Sequence, residues 1–197
     1  MQRQGGFTII EMMVALIIIL ILGGIGFVAY SKFIGQSKET KLLSDLKEYG
    51  VALQSMYADT GALAGLDNTV PFPDALINPN SITNTGVKTK WRGPYIKNPP
   101  SCPFDGCQYQ VDYTTGQASS VGQIYQYYVK ATNVPLENAL TLSRSANGDN
   151  RVNECITSNI SQVVSGTAKS CEVYISNTSG GAGTKVDVYY TFMTGRY

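Results

Sequence analysis

Between Met12 and Ser31 the chain carries no charged residue. That run of about 20 positions is the length a helix needs to cross the hydrocarbon core of a bilayer. At its edge stands one acid, Glu11, in the stretch Gly6-Phe7-Thr8-Ile9-Ile10-Glu11-Met12-Met13-Val14-Ala15-Leu16. A charged side chain inside a spanning helix costs roughly 2.5–3.5 kcal/mol even on the most lenient insertion scale, so such an acid calls for a function and a partner. No Lys, Arg or His lies from Gly5 to Ser31. The partner is therefore not expected to be a local side chain.

An α-amine made by cutting the chain would serve. Ahead of the apolar run lies Met1-Gln2-Arg3-Gln4-Gly5-Gly6, short and polar, with a Gly-Gly end. A secretory signal peptide places its small residues after the apolar region; here they come before it. A cut between Gly6 and Phe7 leaves the hydrophobic segment on the protein and starts it with a positive charge close to Glu11.

Gly6-Phe7-Thr8-Ile9-Ile10-Glu11 followed by an uninterrupted apolar helix resembles the class III signal of type IV pilins and type II secretion pseudopilins. The resemblance implies cleavage after Gly6 by a prepilin peptidase, N-methylation of Phe7, and a filament in which Glu11 of one subunit neutralises the Phe7 amine of a neighbour. The plainer reading is a single-span anchor with a stray glutamate. Many pilins carry a proline late in the apolar segment. This chain has Val28 there, no proline before Pro71, and Gly23, Gly24 and Gly26 instead. Glycine costs about 1 kcal/mol against alanine inside a helix, so these positions mark a place where the helix could loosen or pack closely on another.

The 197 residues leave room for one globular domain beyond a long N-terminal helix. The formal charge of +1 gives no global pull toward nucleic acid or acidic lipid. There is no His, which removes the commonest general base and transition-metal ligand and argues against an enzyme. The four cysteines, Cys102, Cys107, Cys155 and Cys171, all lie beyond the apolar run. An even count in an exported domain reads as disulfides. Three pairings are possible, and proximity along the chain favours Cys102–Cys107 with Cys155–Cys171. Zinc would need two closely paired clusters, which these spacings do not supply. Counting positive charges sets Arg3 and the initiator amine against Lys32, Lys38 and Lys41, which taken alone favours the reverse topology. The cysteines and the resemblance both place the C-terminal domain in an oxidising space.

After Ser31 the pattern becomes amphipathic. Leu42, Leu46, Tyr49, Leu53 and Met56 recur at three- and four-residue spacing, one face of a helix against a core. Asp59-Thr60-Gly61 is the expected stop, with Gly61 free to take the left-handed cap. A continuous helix from Phe7 to Asp59 would be on the order of 80 Å long; a break near Gly35 is the alternative. From Ala62 to Ser101, six prolines mark a connecting segment with short turns. Within it, Trp91-Arg92-Gly93-Pro94-Tyr95-Ile96 is similar to a stretch of major pseudopilins, although a buried aromatic pinning the loop is the favoured explanation. Alternation then predicts strands over Tyr109, Val111 and Tyr113, over Tyr125 to Ala131, over Cys171 to Ile175, and over Val186 to Phe192. A turn is expected at Thr114-Thr115-Gly116 and a hairpin loop at Ser179–Gly183. Short helices are expected from Pro135 to Leu140 and from Ile156 to Val164.

Other chemistry is thin. No nucleophile elbow, phosphate-cradling loop or carboxylate pair is visible. Asn147-Gly148-Asp149-Asn150 with Asn153 and Glu154 offers oxygen ligands, and major pseudopilins use a calcium loop in a comparable position. The spacing does not match an EF-hand, and an Asn-Gly-Asp turn needs no metal. Lys88, Lys90 and Arg92 cluster beside Trp91, but a solvated loop explains them, and nucleic acid is not an expected partner.

The expectation is thus an α+β fold. A long N-terminal helix, membrane-spanning in its first half and amphipathic in its second, packs on a four-stranded antiparallel sheet in a type IV pilin-like roll. Residues 1–6 are a cleaved leader, 7–31 a transmembrane or filament-core segment, and 32–197 a periplasmic or extracellular domain. The resemblance implies a non-enzymatic subunit of a helical homo-oligomeric filament, with itself and related pilins as partners. A prepilin peptidase, an inner-membrane assembly platform and membrane lipid complete that set. No cofactor is expected. The precursor would sit in the inner membrane and the product on the cell surface. A secretion pseudopilin and a singly anchored periplasmic binding domain are the alternatives.

Overall fold

The computed structural model describes residues 8–118, 122–157, 171–176 and 183–196; within these, the side chains of 25–29, 31–32, 116–118, 122–124, 152, 157 and 195–196 are not described. The chain forms two compact units, Met1–Ser37 and Lys38–Tyr197. Helix α1 (Ile9–Thr60) enters both and is continuous through Gly23, Gly24, Gly26 and Gly35.

In the second unit α1 presents the expected stripe. Leu42, Leu46, Leu53 and Met56 have no exposed surface and Tyr49 only 2%. Each such side chain contributes roughly 1.5–3 kcal/mol on burial, so this stripe is the chief tie between helix and sheet. The helix stops as its sequence dictates: Gly61 takes φ 73° and its N–H reaches back to the Tyr57 carbonyl at 2.8 Å. The connecting segment carries two short helices, α2 (Asp74–Ile77) and α3 (Thr85–Lys90), with a 3-10 turn at Pro79–Ser81 between them.

Strands β1 (Tyr109–Ala118), β2 (Gly122–Pro135), β4 (Val173–Ser176) and β5 (Lys185–Arg196) are antiparallel to their neighbours in the order β1-β2-β5-β4. The expected four-stranded antiparallel sheet is present, extended at its far edge by a two-residue strand β3 (Ile156–Thr157) parallel to β4. Val129, Ala131, Val173, Ile175 and Val188 meet the α1 stripe in one hydrophobic core. Tyr174 alternates to the opposite face and joins Cys155 and Cys171 in a second, small core against which Tyr189 packs.

Three local expectations are corrected. Thr114-Thr115-Gly116 is not a turn: the ladder runs through it, pairing Thr114 with Gln126, Thr115 with Tyr125 and Gly116 with Ile124. β-branched threonines suit a strand, and cross-strand pairing outweighs the local turn signal. The helix expected from Pro135 is longer, running as α4 from Leu136 to Asn147. The helix expected from Ile156 to Val164 begins instead as β3, because the disulfide from Cys155 to Cys171 brings Ile156 alongside Ile175. The rest of that stretch, 158–164, lies outside the described residues, as does 177–182 of the Ser179–Gly183 loop.

Candidate functional site

The site is the start of α1. Thr8 is its N-cap, and its side chain and that of Glu11 bond reciprocally. The Thr8 N–H and hydroxyl both donate to Glu11 Oε2 at 2.8 Å, and the Glu11 N–H donates to Thr8 Oγ1 at 3.3 Å. This is a capping box, which satisfies two of the orphan donors that every helix start leaves. Glu11 therefore does have a local hydrogen-bonding partner, contrary to the expectation from charge alone. The Thr-x-x-Glu spacing was the signal for it. Thr8 orients the carboxylate but supplies no positive charge, so the demand for a cation stands. Gly6 and Phe7, the expected processing junction, lie outside the described residues.

Beyond the cap the helix is apolar on every side. Twelve large apolar residues from Ile9 to Leu22 are each at least half exposed, up to 84% for Ile9. Among the described residues, no helix is long and apolar enough to cross a membrane. The described side chains of this run break off after Gly24, so the span expected over 7–31 lies partly outside them.

The cysteines form two bonds, Cys102–Cys107 with Cα atoms 5.7 Å apart and Cys155–Cys171 at 5.9 Å. The first closes a small loop held on α1. Lys41 Nζ donates to the Ser101 carbonyl at 2.8 Å, the Tyr49 hydroxyl donates to the Pro100 carbonyl at 3.0 Å, and Lys38 Nζ stands 5.9 Å from the Phe104 ring centre. Beside it Asp45, only 5% exposed, takes Lys41 Nζ at 2.7 Å and the Tyr109 hydroxyl at 2.8 Å. Burial, then this bond to Asp45, pushes the Tyr109 hydroxyl far above the usual tyrosine range.

The other sequence candidates find structural duties. Asn147 ends α4. Its Oδ1 accepts from the main-chain N–H groups of Glu172 (2.7 Å) and Val173 (3.3 Å), and its Nδ2 donates to the Val173 carbonyl at 2.8 Å. It fastens β4 to the helix, and its amide oxygen faces those N–H groups. Asp149–Cys155 is a 3-10 turn in which Arg151 pairs with Glu154 at 3.7 Å. Trp91 faces inward: Nε1 donates to the Ala75 carbonyl at 2.9 Å and the ring meets Tyr95 edge-on at 5.6 Å. The Tyr95 hydroxyl in turn donates to Asp59 Oδ2 at 2.9 Å, tying the connecting segment to the end of α1. Lys88, Lys90 and Arg92 remain on the surface.

A helix capped by its own acid and apolar all round beyond it defines a class of N-terminus, and the comparisons identify which. Residues 1–27 match the family model of the prokaryotic N-terminal methylation motif, so the chain carries a prepilin-type N-terminus. It is 36% identical over 76 residues to prepilin peptidase-dependent protein D of Escherichia coli (strain K12), a match covering 37% of this chain and 52% of that protein. The chain thus spans about half the length of the curated relative it matches. No solved structure matches. At its N-terminus the chain is pilin- or pseudopilin-like.

Proposed function

We propose that the chain is a structural subunit of a type IV pilus, matured by a prepilin peptidase between Gly6 and Phe7 and assembled through the first half of α1. One observation carries this reading: twelve large apolar side chains between Ile9 and Leu22 stand exposed on all sides of the start of α1, headed by a single capped carboxylate. Covering them is worth on the order of 20 kcal/mol. A surface of that kind does not remain in water. Lipid and the core of a helical bundle are both apolar, so a subunit can pass from one to the other without wetting this face. Glu11 then selects the arrangement, because a buried charge without a partner is far costlier than a paired one. The role is mechanical and not catalytic. The precursor spans the inner membrane once, with residues 32–197 outside, and its partners are copies of itself, related pilins and the assembly platform.

Intact mass of protein recovered from cells with an active peptidase tests this. The expected mass lacks Met1 to Gly6 and includes one added methyl group; full-length mature protein would overturn both filament readings and leave a tethered binding domain. The likeness of Trp91–Ile96 to pseudopilins supports a second reading, a subunit of a shorter secretion fibre. Melting of the purified chain that drops on adding a calcium chelator would favour it.

A further inference from the structure

The loop closed by Cys102–Cys107 is a strap across part of the second unit. Five tethers from three elements converge on residues 100–106. From α1, Lys41 Nζ donates to the Ser101 carbonyl, the Tyr49 hydroxyl donates to the Pro100 carbonyl, and Lys38 Nζ faces the Phe104 ring. Near the end of β2, Asn133 takes φ 57° and its Nδ2 donates to the Gly106 carbonyl at 3.1 Å. At the start of β5, Lys185 Nζ donates to the Asp105 carbonyl at 3.0 Å.

Four of these tethers end on main-chain carbonyls, so they depend on the path of the loop's backbone. The disulfide fixes that path. Within it the Cys107 N–H donates to the Phe104 carbonyl at 3.1 Å, Gly106 turns the chain at φ 74°, and the Phe104 side chain is buried. A loop already closed by a covalent bond loses little further entropy when it is tied down, whereas an open one must be ordered afresh.

The two disulfides differ in access. Cys155 has no exposed surface and Cys171 only 6%, and both lie in the small core with Tyr174. Cys102 and Cys107 are half-buried, beside the exposed Ser101, Asp105 and Gly106. Thiol–disulfide exchange requires a thiolate to reach one of the sulfurs, so it follows access. The ammonium groups of Lys38, Lys41 and Lys185 stand round the loop, against the carboxylates of Asp45 and Asp105. A sulfur leaving as thiolate therefore does so among cations.

We propose that Cys102–Cys107 is a thiol–disulfide exchange site whose reduction by a dithiol opens the strap while Cys155–Cys171 stays closed. One thiolate of the dithiol attacks either sulfur, forming a mixed disulfide and releasing the other cysteine as thiolate. The second thiolate of the reagent then closes the reagent's own disulfide and releases the remaining cysteine. Two electrons pass to the protein, and the two protons of the dithiol end on Cys102 and Cys107. The freed segment gives up its hold on α1, β2 and β5 together. The strap lies within the Lys38–Tyr197 unit, so the proposal is independent of whether the chain polymerises.

The test is graded reduction of the full-length chain in detergent with dithiothreitol, followed by alkylation with iodoacetamide and peptide mass analysis. Cys102 and Cys107 should be alkylated at a dithiothreitol concentration about tenfold or more below that needed for Cys155 and Cys171. In that window Tm should fall by about 5 °C. Amide hydrogen exchange should quicken by about tenfold over residues 101–109 and 132–134 and stay unchanged over 171–176. The double variant Cys102→Ser, Cys107→Ser should show the Tm of the selectively reduced parent and no response to dithiothreitol in the same window. Reduction of both disulfides together, or of Cys155–Cys171 first, would overturn the proposal. So would selective reduction that leaves Tm and the exchange pattern unchanged.

Discussion

The tyrosines of the second unit make its stability a steep function of alkaline pH. Tyr49, Tyr128 and Tyr174 are 2%, 4% and 1% exposed. Burial pushes all three hydroxyls above the usual tyrosine range. Asp45 and Glu48 add to the effect at Tyr49, which is raised to about 12, and Asp112 and Tyr189 add to it at Tyr128; at Tyr174 a bond from the Cys171 N–H and nearby Arg151 oppose it. In the unfolded chain tyrosine ionises near pH 10. Below that pH both states keep their protons and stability is full. Above it the unfolded chain releases protons that the native state retains, and stability falls as the pH climbs toward the folded values. Each withheld proton costs about 1.4 kcal/mol per pH unit, so Tyr49 and Tyr128, together with Tyr109, whose hydroxyl is raised far above the usual range, remove about 4 kcal/mol at pH 11. Against a typical stability of about 5–15 kcal/mol, the fold should give way cooperatively about one to two units above pH 10.

The decisive perturbation is Tyr49→Phe. At neutral pH it loses the bond to the Pro100 carbonyl and should be less stable by about 1 kcal/mol. At high pH it also loses the proton penalty of about 1.4 kcal/mol per unit, so the two stability curves should cross near about pH 11. Denaturant titrations of both proteins at a series of pH values give the curves, with circular dichroism and near-UV tyrosinate absorbance followed together. Variant and parent curves that stay parallel would refute the reasoning. So would tyrosinate signals that develop fully near pH 10 while the dichroism of the fold persists.

Two further predictions rest on single side chains. Glu11→Ala should spare cleavage and membrane anchoring and abolish filaments, whereas Thr8→Ala, which removes only the cap hydroxyl, should cost about 1 kcal/mol of helix-start stability and leave filaments formed; equal loss of filaments in both variants, judged by electron microscopy, would assign Glu11 to capping and not to charge pairing. Asn147→Ala leaves the Glu172 and Val173 N–H groups and the Val173 carbonyl without their side-chain partner and should destabilise the second unit by about 2–3 kcal/mol in chemical denaturation, while a change under 0.5 kcal/mol would remove its role as the α4–β4 clasp.

What was legible in the chain sorts by the kind of force involved. Leu42, Leu46, Tyr49, Leu53 and Met56 could be read from spacing alone, because each responds to water and so records its burial at its own position. Gly61 was legible for a similar reason: the left-handed backbone is a property of one residue. The strands of the alternating segments were legible too, and where they err it is in extent. β1 continues past Thr114 because Gln126, Tyr125 and Ile124 lie across from it, and no local rule contains that pairing.

Asn147 shows the same limit at a site. Next to Gly148, its side chain suits a turn, a metal or a clasp equally well, and the choice is made by β4, more than twenty residues onward. The hydrogen-bonding partner of Glu11, Thr8, is local, and the Thr-x-x-Glu spacing carries it. Charge balance calls for a cation, whereas helix capping calls for a hydroxyl. The two answers address different needs: the hydroxyl and N–H hold the carboxylate's direction at the helix start, and a cation would settle its energy in an apolar surrounding. An acid already aimed by its own cap would meet an incoming amine with little left to order. The capping box thus makes the carboxylate a better receptor for a neighbour's amino end than a freely rotating side chain would be.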